Sequence, residues 1–127
     1  MNKHSTAGVG NAVFALYNSI GDSFWQLIEH IKTLEEDKIV YIIMHEDRNE
    51  FGDIKPKTIG KLLDEKVCIE GMFTVVLRCV SENGRHYFRT QTDGSDVSKS
   101  PMEMFTKVEI DNDLKLVDKA VREYWEL

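Results

Sequence analysis

Six consecutive apolar residues, Ile39-Val40-Tyr41-Ile42-Ile43-Met44, constrain the chain more than any other segment. The run is dominated by β-branched side chains and shows no polar–apolar alternation, so neither face of a strand here is marked for water. Such a run fits a strand covered on both faces, as in a parallel sheet with helices on each side. It is far shorter than the roughly 20 residues a membrane-spanning helix requires.

The residues before the run carry a different period. Between Val9 and Leu34, apolar side chains recur at steps of three and four: Val13, Tyr17, Ile20, Phe24, Leu27, Ile31 and Leu34. That is an amphipathic helix, with Phe14 and Ile28 widening its stripe. Gly21 and Asp22 interrupt it and predict a break and restart, with Asp22 or Ser23 as the new N-cap. Glu35-Glu36-Asp37-Lys38 forms a polar connector. A helix, a short connector and a buried strand make half of a βαβ unit, which points to the α/β class.

Downstream, His45 to Asp53 is polar and contains Gly52, so it reads as a loop. Pro56 disfavours helix at the residue before it. Thr58 is positioned to cap a short helix through Ile59, Leu62 and Leu63, ending near Lys66. Met72 to Val80 reads as a strand, Ser81-Glu82-Asn83-Gly84 as a turn, and Arg85 to Thr90 as the returning strand of a hairpin. Gln91 to Pro101, rich in Thr, Asp, Gly and Ser, reads as a mobile loop. A last helix starts at Asn112 or Asp113, with Leu114, Val117, Val121 and Tyr124 on one face and acidic groups at its positive end. At 127 residues the chain is expected to be a single domain: 1–38 helical, 39–109 sheet and hairpin, and 110–127 the C-terminal helix.

The net charge of −6 argues against a strongly cationic nucleic-acid binder while leaving room for a local basic loop. It also suits a protein that meets a basic groove on a partner. Cys68 and Cys79 lie in apolar, strand-like surroundings and form no C-x-x-C pair. They read as two buried free thiols in a reducing compartment, with no zinc site. The N-terminal residues lack the apolar stretch and cleavage pattern of a signal peptide.

The search for chemistry starts with phosphate. A P-loop needs G-x-x-x-x-G-K-[ST], because backbone amides and a helix N-terminus cradle the phosphates while Lys and a hydroxyl complete the site. The nearest stretch, Gly52 to Lys61, has its glycines eight positions apart, contains Pro56 and places Leu62 where the hydroxyl belongs. It is not a P-loop. Glu46 and Asp47 follow the apolar run, where a Walker-B acid would sit, and the plain alternative is the solvated start of a loop. His45 stands at the carboxyl end of the same run, where open α/β sheets place ligand-contacting groups, although a lone His more often serves structure. His4, His30 and His86 have no metal-ligand spacing with it.

Lys55, Lys57, Lys61 and Lys66 form a basic cluster suited to phosphate, or else a solvated helix face interspersed with Asp64 and Glu65. Lys99 is a second, isolated basic candidate. Arg78, Arg85 and Arg89 decorate the hairpin, where cross-strand charge usually lies on the surface.

The segments KIVYIIMHED, GDIKPKTIGKLLDEKV, EGMFTVVLRCV, TQ-DGSD-KSP and IDNDLKLVDKAVREYW together resemble the C-terminal portion of ATP-binding proteins encoded by phages of low-GC Gram-positive bacteria. These belong to the RecA-like P-loop group that often accompanies phage recombination genes, and the similarity runs over roughly residues 20 to 127. The resemblance implies a partial RecA-like sheet with a β-hairpin, flanked by a long N-terminal and a C-terminal helix, with residues 39–44 in the central sheet. It implies a sensor-like position for His45 at the nucleotide edge. It also places the loop from Asp93 to Lys99 toward nucleotide or a neighbouring subunit.

Members of that group carry Walker A and Walker B motifs ahead of this region, and neither occurs here. Autonomous ATP hydrolysis is therefore not expected, and no cofactor is implied. An unpaired sheet edge must be covered, which predicts homodimerisation through that edge or through the Val9–Leu34 helix. The functional expectation is a non-catalytic protein-interaction module of the host bacterial cytoplasm that binds a host or phage protein, inhibiting an antiviral nuclease or complex. The alternative is an accessory of phage recombination that binds nucleotide or single-stranded DNA together with other subunits. No membrane partner is expected.

Overall fold

The computed structural model describes residues 2–57 and 69–127. The short helix expected at 58–66, with Thr58, Lys61, Lys66 and Cys68, lies outside the described residues. Within them the chain mixes α and β structure, with two helices and two small antiparallel sheets. It divides into two compact units, one of Met1–Glu35 with Thr58–Cys68, the other of Glu36–Lys57 with Ile69–Leu127.

The first unit contains helix α1, Asn2–Ile31, which runs without the break expected at Gly21. A glycine inside a helix costs about 1 kcal/mol relative to alanine, too little to stop one whose apolar stripe continues on both sides. Ile28 is buried, whereas Val13, Leu16, Trp25 and Leu27 remain exposed. The helix closes through tighter bonds, from Thr33 N to His30 O and from Leu34 N to Ile31 O.

In the second unit, β1 (Glu46–Arg48), inside the stretch 45–53 expected to be loop, pairs antiparallel with β2 (Ile54–Pro56). Asn49 builds their turn, its Oδ1 accepting from both Phe51 N and Asp53 N at 2.9 Å. A 3-10 turn spans Ile69–Met72, so the strand expected from Met72 begins only at Arg78. The second sheet has the order β3 (Arg78–Glu82), β4 (Arg85–Arg89), β5 (Glu109–Asp111). The expected hairpin is present. Asn83 and Gly84, at φ of 52° and 75°, form the tight turn that such a residue pair favours between twisted strands. Helix α2, Leu114–Trp125, starts where expected, with Asp113 Oδ1 accepting from Lys115 N at 2.9 Å.

The core of this unit is Met104, Val117 and Val121, with Ile39, Val75, Leu77, Phe88, Phe105 and Ile110 packed against it. Of the α2 face read from sequence, Val117 and Val121 are buried while Leu114 and Tyr124 are exposed.

Three expectations are corrected. Residues 39–44 are not a buried strand: no strand includes them, and Val40, Tyr41 and Ile43 are exposed. A strand needs neighbours for its ladder, and among the described residues no backbone hydrogen bond engages this segment. Both sheets are antiparallel, not parallel. Cys79 is exposed rather than buried, because it lies on a sheet-edge strand, and its sulfur accepts from Asn112 Nδ2 at 3.2 Å.

The segment from Gln91 to Pro101, expected to be mobile, is instead tied down by its own polar side chains. Thr92 Oγ1 donates to Asp96 O at 2.8 Å, Ser100 Oγ donates to Thr90 O at 2.9 Å, and Lys99 and Val76 exchange both backbone bonds. Thr90 anchors its start: it is buried, its hydroxyl lies 2.8 Å from Lys107 O and 3.1 Å from Val108 O, and its N–H donates to Val108 O. Thr90→Val keeps the shape and removes the hydroxyl, leaving Lys107 O without that donor. We expect a loss of about 1–2 kcal/mol, read as a lower urea midpoint with an unchanged slope.

Candidate functional site

The β1–β2 ribbon sorts the candidate residues by face. Asp47 lies opposite Lys55, and Lys57 N donates to His45 O at 2.7 Å, which extends the same register by one pair. Residues directly opposite share a face, as do residues two apart. His45, Asp47, Lys55 and Lys57 therefore sit together on one face, and all four are exposed. The other face carries Ile54, buried, and Glu46. His45 thus begins a ribbon; it does not end a strand of the kind expected at 39–44.

Glu46 is engaged elsewhere. Its carboxylate grips Arg78 in a fork, Oε2 at 2.8 Å from Nε and Oε1 at 3.1 Å from Nη2. That hydrogen bond, working against partial desolvation, raises the guanidinium's affinity for its proton above the usual value. Arg78 stands directly across the hairpin from Arg89, an arrangement of like charges that is unfavourable by itself. Asp96 resolves it. Its side chain is only 2% exposed, and Oδ2 lies 3.7 Å from Arg78 Nη1 and 3.7 Å from Arg89 Nε.

At those lengths the attraction is electrostatic, and among the described residues Asp96 Oδ2 has no hydrogen-bond partner. Asp93 closes the cluster on the outer side of Arg89, with Oδ2 at 3.2 Å from Nη2. Two guanidiniums thus face three carboxylates. No positive surplus is left for an anion, and the cluster reads as a clamp that fixes the 92–98 segment to the hairpin. Ser95 O, accepting from Ile54 N at 2.8 Å, fastens the same segment to β2.

Asp93 also accepts from Ser95 Oγ at 2.6 Å and from Ser95 N at 2.9 Å. The Ser95 hydroxyl, then its N–H, hold the Asp93 carboxyl below its ordinary value of 3.8. A carboxyl depressed in this way adds stability above its unfolded titration range, and that contribution vanishes as pH falls through the folded value. NMR titration is expected to place the Asp93 midpoint below 3.8, with Ser95→Ala moving it upward.

Of the remaining candidates, Lys99 is held by its backbone to Val76, away from the ribbon register, and Lys61 is outside the described residues. Among the described residues no group of three or more His, Cys, Asp or Glu is placed to hold a metal ion. No helix among them is long and apolar enough to cross a membrane.

Asp96 is the residue that sequence reading passed over. The signal was present: a turn at Asn83-Gly84 pairs Glu82 with Arg85 and, four steps on, Arg78 with Arg89. Two facing arginines call for a carboxylate, and the acidic 93–96 segment follows directly.

The last exposed feature is residues 39–44. Ile39 is anchored on the core, and partial desolvation, with the Asp118 charge adding to it, raises the Tyr41 phenol above its ordinary value. Ile43 is 86% exposed. Compared with protein-family models, curated proteins and solved structures, the chain matches none of them.

Proposed function

We propose that this chain is a non-catalytic protein-interaction module of RecA-like ancestry, in which residues 39–44 enter the sheet of a partner protein. The observation that carries this reading is the state of that segment. It has the composition of a strand buried on both faces, yet it holds no ladder partner among the described residues and leaves Val40, Tyr41 and Ile43 in water. An unpaired β-branched backbone is a template for another strand. The resemblance to phage ATP-binding proteins assigns this segment to the central sheet, beside strands for which the described residues offer no counterpart.

On the same reading the partner is a host or phage protein. A host antiviral nuclease or complex is the target that the acidic surface and phage ancestry favour. Wild-type protein and Ile43→Lys, each tagged and recovered from phage-infected host cells, give the test by mass spectrometry. Ile43 is so exposed that the substitution leaves the fold intact. A stoichiometric partner present with wild type and lost with Ile43→Lys supports the reading; equal recovery with both proteins ends it.

One observation favours the recombination-accessory reading instead: His45, Lys55 and Lys57 share one exposed ribbon face, where they outnumber the single carboxylate of Asp47 and suit contact with phosphates. Fluorescence anisotropy with a single-stranded oligonucleotide tests it. Binding that weakens with salt and with Lys55→Ala/Lys57→Ala supports this reading, and absence of binding at low salt removes it.

A further inference from the structure

We infer that Asn83–Gly84, at the tip of the β3–β4 hairpin, is a conformation-gated modification site: the closed turn protects the asparagine, and an opened turn lets it lose ammonia and become isoaspartate. Of the asparagines in the chain, only Asn83 is followed by glycine, the successor that least obstructs attack by its own backbone nitrogen on the side-chain amide. Both residues are exposed, and a Cβ built at Gly84 meets nothing within 4 Å, so water reaches the tip freely. Among the described residues no hydrogen bond engages the Asn83 side chain, and Gly84 N–H lies between the paired residues Glu82 and Arg85 without joining the ladder.

The reaction needs no partner but water. Gly84 N, once deprotonated, attacks Asn83 Cγ; the C–N bond of the side-chain amide breaks, and ammonia leaves behind a cyclic succinimide. Water then opens the ring at either carbonyl, giving aspartate, or isoaspartate when the chain continues through the side-chain carboxyl. Geometry decides when this runs. Asn83 has a φ of 52°, in the left-handed region, where ψ lies near about +47°. At that ψ Gly84 N stands anti to Cβ about the Cα–C bond, the position furthest from Cγ, whereas ring closure needs the two nearly eclipsed. The closed turn therefore withholds the nucleophile that an opened turn supplies.

Conversion is a one-way step for the hairpin. Isoaspartate adds a methylene to the backbone of a connection built for two residues, so the pair at positive φ no longer brings Glu82 opposite Arg85. It also adds a carboxylate next to Glu82, whose own carboxylate accepts from Tyr87 Oη at 3.3 Å. The hairpin thus records each opening that lasts long enough for the ring to close.

Peptide mass spectrometry of the full chain, held native or in urea in mildly alkaline buffer, tests this. It reads the mass gained when amide becomes carboxyl, and enzymatic methylation counts the isoaspartate. In urea we expect Asn83 to convert faster than any other asparagine, with isoaspartate in excess over aspartate. In the native chain conversion should be at least about tenfold slower, because paired strands are open for only a small fraction of the time. Asp96→Ala, which removes the carboxylate between Arg78 and Arg89, should raise the native rate severalfold without changing the rate in urea. Equal rates in the native chain and in urea, or an unchanged native rate in Asp96→Ala once its urea midpoint has fallen, would overturn the gate. An Asn83 that survives in urea as long as Asn18 or Asn49 overturns the site itself.

Discussion

Val117→Asp is expected to abolish cooperative unfolding of the second unit at 25 °C. Val117 is 2% exposed and packs with Met104 and Val121, so the new carboxylate enters an apolar cluster with its hydration stripped away. An unpaired buried charge costs about 4 kcal/mol or more, against a total stability of about 5–15 kcal/mol for a typical domain. The margin here is small. Besides the three cluster residues, the buried apolar side chains described in this unit are Ile54, Ile69 and Tyr87. Urea denaturation followed by circular dichroism gives the measurement, with Leu116→Asp as its control. Leu116 is the preceding residue on α2 and is exposed, so its replacement should shift stability by about 0.5 kcal/mol at most. Equal effects at 116 and 117 would mean that α2 does not bury the face described here.

Asp96→Ala is expected to destabilise the hairpin and the 92–98 segment together. Removing it leaves Arg78 and Arg89 facing each other across β3 and β4, and deprives Ser98 N of an acceptor at 3.0 Å. Breaking a buried ion pair from one side costs about 3–5 kcal/mol. Both arginine side chains keep about a fifth of their surface in water and retain Glu46 or Asp93, which reduces the expected loss to roughly 2–3 kcal/mol. The mechanism predicts its own suppressor. Arg89→Met in the Asp96→Ala background relieves the facing charges, so the double variant should be at least about 1 kcal/mol more stable than additivity allows. The contrast is Lys119 with Glu123 on α2, 3.9 Å apart and well solvated, where Glu123→Ala should change stability by less than about 0.5 kcal/mol. A strictly additive double variant would show that Asp96 acts through packing and not as the carboxylate between two guanidiniums.

Residues 39–44 departed from expectation, while the 91–101 segment is the expected loop but is tied down by more hydrogen bonds than its composition suggested. In the first, composition named a strand and the described residues supply nothing to pair with it. In the second, Thr, Asp, Gly and Ser named a mobile loop, and the hydroxyls and carboxylates that mark it as loop hold it to Thr90 and to its own backbone. Polarity predicts that a segment avoids helix and sheet; it does not predict whether its hydrogen bonds go to water or to protein. The candidate site followed the same division. His45, Asp47, Lys55 and Lys57 were recognisable by type, but only the ribbon register gathered them on one face and sent Glu46 to Arg78.

The sequence by itself determined the features whose causes are local. Asn83-Gly84 adopts the positive φ values that a tight hairpin demands, and Asp113 caps the first turn of α2 with its own carboxylate. The apolar period of Val13 to Ile31 marks the helix that the chain forms there. The tertiary structure alone decided β5, the place of Asp96 between two arginines, and the exposure of Ile43. Each depends on what lies across space from the residue, and a strand or an ion pair has no stability until its distant partner arrives.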